Sequence, residues 1–234
     1  MDMIDLSHAD NQIQSVTNFK DLVSTTFQGQ LNALYWPREL TGDFSEIVKK
    51  IELNDTIIEL EEEELRELQL SEMGQMAREI LLNDLKLLTA HGASPSLNVI
   101  KCYERDDAYP FFPTDVYSFH VDRSPIPVDT FLCTYYGESS EILANSQAQQ
   151  KILIPEIRDE LKKIYDGRDE GFESFLIEHF FDLHYEVNPK ACPTKLGLGH
   201  VWRLATDHPN SQVPPCIHRA PVEKIGQNRL LLIC

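Results

Sequence analysis

The sequence predicts an α+β protein with a helical front third and a β-sandwich or barrel core, and three observations predict it. Apolar residues before residue 95 recur at helical spacing, short β-prone stretches follow it, and a helical insert divides those stretches. In the front third, residues 57–91 place Met73, Met76, Ile80, Leu81, Leu87 and Leu88 three or four apart, and Gly92 is well placed to end that helix in a left-handed cap. Residues 16–50 read as one or two shorter helices broken at Trp36-Pro37. Beyond residue 95, Leu97–Tyr103, Val116–Val121 and Thr130–Tyr136 are rich in β-branched and aromatic residues and read as strands. Two helices, Ile154–Tyr165 and Phe172–Tyr185, are expected in the insert, followed by strands at His200–Ala205, Cys216–Ala220 and Arg229–Cys234. The expected organisation is therefore residues 1–95 packing as a helical region on a β domain of residues 96–234, with an insert at about 152–186.

Composition narrows the function classes. The 234 residues carry 38 acidic and 21 basic side chains, a formal charge of −17, and no basic cluster beyond pairs such as Lys49-Lys50 and Lys162-Lys163. Such a field repels a phosphate backbone, so nucleic acid is a disfavoured partner. No apolar run reaches membrane-spanning length, and MDMIDLSHAD lacks the basic-then-apolar order of a secretory leader, so a cytoplasmic location is expected. Five widely spaced cysteines without a C-x-x-C pair fit reduced thiols rather than a disulfide framework. The acidic run Glu61–Glu64 reads first as a solvated helix face and second as a partner-recruiting motif.

The chemistry concentrates in two places. In Ser118-Phe119-His120-Val121-Asp122, strand alternation projects His120 and Asp122 to one side and Phe119 and Val121 to the other. Far downstream, His218 sits in Cys216-Ile217-His218-Arg219-Ala220-Pro221, and eleven residues later Arg229 opens an otherwise apolar strand. Two imidazoles and one carboxylate on one side of a metal leave positions open for a cosubstrate and oxygen. A buried guanidinium needs an anionic or polar partner, and a dicarboxylate's far end can accept its fork of donors.

These residues in this order, with Thr130-Phe131-Leu132-Cys133-Thr134-Tyr135-Tyr136-Gly137 after the first pair, resemble the Fe(II)/2-oxoglutarate-dependent oxygenase superfamily. The metal strand looks like that of prolyl-hydroxylase-type members, and the whole pattern also resembles an uncharacterised bacterial domain family. The resemblance covers about residues 97–234. It implies a double-stranded β-helix (jelly-roll, cupin-like) core. It implies iron on His120, Asp122 and His218, and 2-oxoglutarate anchored by Arg229 with Tyr136, or else Tyr135, on the second strand. A hydroxylase acting on a small molecule or a protein side chain is the expected activity.

Other readings of the same residues stay open. Cys216 can face the same way as His218 and complete a four-ligand zinc site, making the chain a zinc-binding or non-catalytic regulatory module. His200 and His208 are rival distal ligands, though neither leads into an Arg-bearing strand. His179 and His184, five apart on an expected helix, read as surface or packing residues. Arg105, Tyr109, Phe111 and Phe112 are equally a substrate mouth or a packed loop, and Arg123 and Trp202 are weaker candidates of that kind.

Overall fold

A seven-stranded sheet organises the chain in a computed structural model that describes residues 11–234 apart from 107, 223 and 225. The reading of residues 1–10 therefore lies outside the described residues. The strands are β1 (Ile13–Ser15), β2 (Ala33–Trp36), β3 (Ile57–Glu59), β4 (Ser96–Ile100), β5 (Asp129–Tyr136), β6 (Glu141–Leu143), β7 (Ala148–Gln150), β8 (Tyr185–Val187), β9 (Thr194–Lys195), β10 (Val201–Ala205), β11 (Ile217–Arg219) and β12 (Arg229–Ile233). The helices are α1 (Phe19–Ser24), α2 (Phe44–Lys50), α3 (Glu62–Glu67), α4 (Glu72–His91), α5 (Pro155–Ile164) and α6 (Phe172–Glu178). The large sheet runs β1-β2-β10-β5-β12-β4-β3 and is antiparallel except where β1 joins β2. A smaller sheet, β11-β6-β9, packs against one face of it, and β7 and β8 form a separate pair at the base of the insert.

Strand alternation builds two cores on the large sheet. Leu230 and Leu232 of β12 join Phe131 and Cys133 of β5 in a cluster covered by α1, α2, α3 and α4. Leu231, Leu132, Trp202 and Ala33 point the other way and meet Ile142 and Cys216 of the smaller sheet's side. A strand buried on both faces has to be apolar at every position, which accounts for the Leu-Leu-Leu-Ile run of β12. Within that run Arg229 shares the parity of Leu231 and so faces the space between the sheets.

The front third is less helical than its spacing suggests. β1, β2 and β3 come from it and extend the large sheet at both edges. In β2 the residues alternate, Leu34 and Trp36 to the helical side and Ala33 and Tyr35 to the inter-sheet side, and Pro37 follows where no helix can continue. Helix α4 does form as expected. Ser71 caps its start by accepting from Gly74 N, and Gly92 ends it at φ 96°. Its buried stripe is Ala77, Leu81, Leu85 and Leu88, whereas Met73 and Met76 are exposed.

The second insert helix is also shorter than expected. α6 stops at Glu178, Phe180 turns at φ 58°, and a single 3-10 turn at Phe181–Leu183 leads into β8. Phe181 is thereby buried against Phe112 in the insert's own core, which a continued helix would not allow. The stretch Val116–Val121 is a turn ending in isolated main-chain bridges rather than a regular strand. No helix among the described residues is long and apolar enough to cross a membrane.

Candidate metal centre

His120 and His218 stand directly opposite one another, exchanging both main-chain hydrogen bonds, N to O and O to N, each at 2.9 Å. Residues paired in this way project to the same side of a sheet, so the ladder itself brings the two imidazoles together, with ring centroids 4.6 Å apart. On the far side of the same segment, Val121 N and Phe119 O bond to Leu183 and Tyr185, while Phe119, Val121, Leu183 and Ile217 pack as an apolar cluster behind the site. That packing turns Ser118, His120 and Asp122 the other way.

The side-chain atoms are set for a metal. Asp122 Oδ1 lies 3.9 Å from His120 Nε2, and its Oδ2 lies 3.5 Å from His218 Nε2. One donor atom from each of the three residues falls within a 4.8 Å group. Two metal–ligand bonds of about 2.1 Å span at most about 4.2 Å between donors, so both carboxylate separations are within reach of one ion. His120 Nδ1 lies 2.8 Å from Ser118 O and His218 Nδ1 lies 3.2 Å from Cys216 O. A ring nitrogen that donates to a carbonyl leaves the other as a lone pair, which fixes both Nε2 atoms as ligand donors.

The electrostatics agree with this arrangement. Burial, together with the adjacent His218 ring, pushes His120 down to about 4, so it is the neutral ligand form near neutral pH. Burial alone would raise the Asp122 carboxyl, but His218, the Thr130 hydroxyl and His120 outweigh it and keep it below the usual range. Thr130 Oγ1 donates to Asp122 Oδ2 at 2.5 Å and orients the carboxylate. Such outer partners carry about 10–100-fold in metal affinity, and Thr130→Ala is expected to weaken Fe(II) binding by about that factor. Anaerobic calorimetric titration measures it, and an unchanged constant would show that the hydroxyl does not steer the ligand.

Cys216 does not join the group. Its side chain is buried in the inter-sheet core, and burial, with Asp122 nearby, pushes its thiol far up. The rival histidines are engaged elsewhere. His200 Nδ1 accepts from Arg38 N at 3.1 Å, His208 Nδ1 accepts from Asn210 N at 3.2 Å, and His179 stacks on Phe181.

Arg229 is buried, and its guanidinium donates to three hydroxyl oxygens: Ser140 Oγ at 2.7 Å, Thr134 Oγ1 at 3.0 Å and Tyr103 Oη at 3.3 Å. The tyrosine beside it is thus Tyr103, and not Tyr136 or Tyr135. The register of β5 against β12 slips between Leu230 and Leu231, so that Leu230 opposes Tyr136 and Leu231 opposes Thr134. Tyr135 and Tyr136 consequently both pack on the helix-covered side, although strict alternation would have turned one of them inward. Tyr135 Oη donates to Asp84 of α4 at 2.7 Å. Gly137 follows at φ 89°, and a Cβ there would sit 2.8 Å from Asn228 O and 3.0 Å from Arg229 Cα. The glycine of that motif lets the chain turn against the start of β12.

Among the remaining candidates, Arg123 is held by Asp182 and Asp207 at 2.5 and 2.7 Å, and Trp202 is a core residue donating to Leu196 O. Arg105 lies over the Tyr117 ring, and Tyr109 and Phe112 pack on Phe181, as a covering loop does. Thr130 and Tyr103 were not singled out from sequence, and only Thr130, opening the strand after the metal pair, carried a signal that could have been used. His184 is buried with its ring 5.8 Å from that of His120. Comparison of the chain with protein-family models, with curated proteins and with solved structures returned no match.

Proposed function

We propose that the protein is an Fe(II)- and 2-oxoglutarate-dependent oxygenase, a hydroxylase, built on a double-stranded β-helix. The observation that carries this reading is the meeting of two Nε2 lone pairs and one carboxylate on the wall of a two-sheet core, with no fourth protein donor among the described residues. Three protein ligands leave half of an octahedral ion for other molecules, as a mononuclear non-haem iron site requires and a structural zinc site does not. The placement of Cys216 in the apolar core weighs against the zinc alternative.

In this reading His120, Asp122 and His218 hold the iron, and Thr130, Ser118 and Cys216 orient those ligands through hydrogen bonds. Arg229, arranged by Ser140, Thr134 and Tyr103, binds the distal carboxylate of 2-oxoglutarate from the facing sheet. Iron and 2-oxoglutarate bound together supply the oxygen activation that hydroxylates a C–H bond.

The test is anaerobic titration of iron-loaded protein with 2-oxoglutarate, followed by its charge-transfer absorbance, and then succinate release on admitting oxygen. Arg229→Met is expected to retain iron while losing 2-oxoglutarate affinity by about 10–100-fold, the worth of about one charged hydrogen bond. Equal affinity in the variant, or no binding by the parent protein, sinks the proposal.

A further inference from the structure

The insert reaches the metal ligands through main-chain pairing. His120 pairs with His218 on one side and with His184 on the other. Beyond His184 lies Lys151, whose N–H donates to His184 O at 2.9 Å. The residue before it, Gln150, pairs with Tyr185 in the β7–β8 ladder, and Ile154 N closes a 3-10 turn onto Lys151 O at 3.0 Å. The main chain of Lys151 is thereby fixed just before α5 begins.

Packing does not account for a lysine at this place. Lys151 is only 7% exposed, and among the described residues no carboxylate stands within ion-pairing distance of it. Glu186 and Asp115 act on it from further off, and the Asp115 carboxylate accepts from Tyr117 N and Asp106 N. The ammonium donates to Ser118 Oγ at 3.0 Å and lies 5.0 Å from the centre of the Phe112 ring. Withdrawing an ammonium from water with no acid beside it is unfavourable, and an apolar chain of similar length would fill the space without that cost. The acceptor gives the charge a use. Ser118 belongs to no strand, its N donates to Asp115 O in a turn, and cross-chain pairing begins only at Phe119 O. Its carbonyl lies 2.8 Å from His120 Nδ1 and so sets which way Nε2 faces. Among the described residues, Lys151 alone ties the Ser118 side chain.

We propose that Lys151 is a positioning residue of the metal centre: its ammonium fixes Ser118, and Ser118 holds the His120 imidazole in its ligand orientation. The inference rests on the metal reading of His120, Asp122 and His218, and it makes the insert part of that centre. Each of the other two ligands has its own support. Asp122 is oriented by Thr130 of β5, and His218 lies within the regular strand β11. His120, set in isolated bridges, has the chain of contacts that starts at Lys151. A residue that acts by orientation affects metal affinity and ligand geometry without being needed for the fold. Lys151 and Ser118 act as one unit, so that removing either undoes what the other does.

The experiment is a Co(II) titration, by competition with a chromophoric chelator, of the parent protein, Lys151→Met, Ser118→Ala and the double variant. The Tm of each metal-free protein is measured alongside. Partners that orient ligands carry about 10–100-fold in affinity, and from one contact further out the expected loss is about tenfold in either single variant. The double variant should lose no more than about twofold beyond the singles, whereas independent effects would multiply to about 100-fold. Metal-free Lys151→Met is expected to keep the parental Tm or exceed it, because a buried charge has given way to an apolar chain. The Co(II) visible bands, which follow ligand geometry, should depart from those of the parent in the same way in both single variants. Parental affinity and bands in Lys151→Met, multiplied losses in the double variant, or an affinity loss that comes with a fall in Tm overturns the assignment. No Co(II) binding by the parent protein would instead remove the metal centre itself, and the proposed function and this inference together.

Discussion

Asp122→Ala is expected to abolish metal binding. Asp122 supplies the only anionic donor of the group, and without it two neutral imidazoles remain on a chain segment whose carboxylate partner, Thr130, is left facing a void. Outer-shell partners alone carry about 10–100-fold in affinity, so loss of a direct anionic ligand is expected to exceed about 100-fold. A ligand present at 100 times its Kd adds about 2.7 kcal/mol to stability, which corresponds to a rise in Tm of about 5–10 °C for a chain of this size. Fe(II) should therefore raise the Tm of the parent protein under anaerobic conditions and leave that of Asp122→Ala unmoved. Substrate-stimulated succinate release should vanish with it. His200→Ala, which removes an acceptor for Arg38 N and no metal donor, is the control that keeps its iron. A thermal shift by iron in Asp122→Ala equal to that of the parent would dissolve the centre.

How far the sequence reveals this protein depends on whether a feature is local. The alternation in Phe119-His120-Val121-Asp122 determines which side chains share a face even though the segment forms only isolated bridges, because period two is a property of extended backbone and not of ladder length. The place of His218 opposite His120 was legible as motif order, but the exchanged hydrogen bonds that hold it there belong to the tertiary fold. Where a single residue shifts register, the same rule misleads: the slip in β5 turns Tyr136 to the side of Tyr135, and Tyr103, at the end of another predicted strand, stands beside Arg229 instead. The short edge strands were hidden for a different reason. β1 and β3 have three residues each, too few to show a period, and their hydrogen bonds go to distant partners. His184, read as a surface or packing residue of an expected helix, is a buried one, because α6 ends early and the turn at Phe180 carries it inside.

The helical layer matters to the site through one buried charge pair, and breaking it should be among the most damaging single changes in the protein. Arg38 Nη1 and Asp84 Oδ1 are 2.7 Å apart with side chains 10% and 3% exposed. Asp84 also accepts from Tyr135 Oη, and Arg38 Nε donates to Gly199 O, so the cluster ties α4 to β5 and to the loop before β10. Removing one member of a buried pair strands the other charge, at a cost of about 3–5 kcal/mol. Asp84→Ala is accordingly expected to lower Tm by about 10 °C or more, with a matching fall in the urea midpoint. Tyr135→Phe deletes only one neutral donor to that carboxylate and should cost about 1.5–3 kcal/mol. The tyrosine variant also separates the two roles its position allows. If Tyr135 belongs to the α4 interface, Tyr135→Phe loses stability and keeps full 2-oxoglutarate affinity; a protein of parental stability with weakened cosubstrate binding would return Tyr135 to the metal side of the sheet.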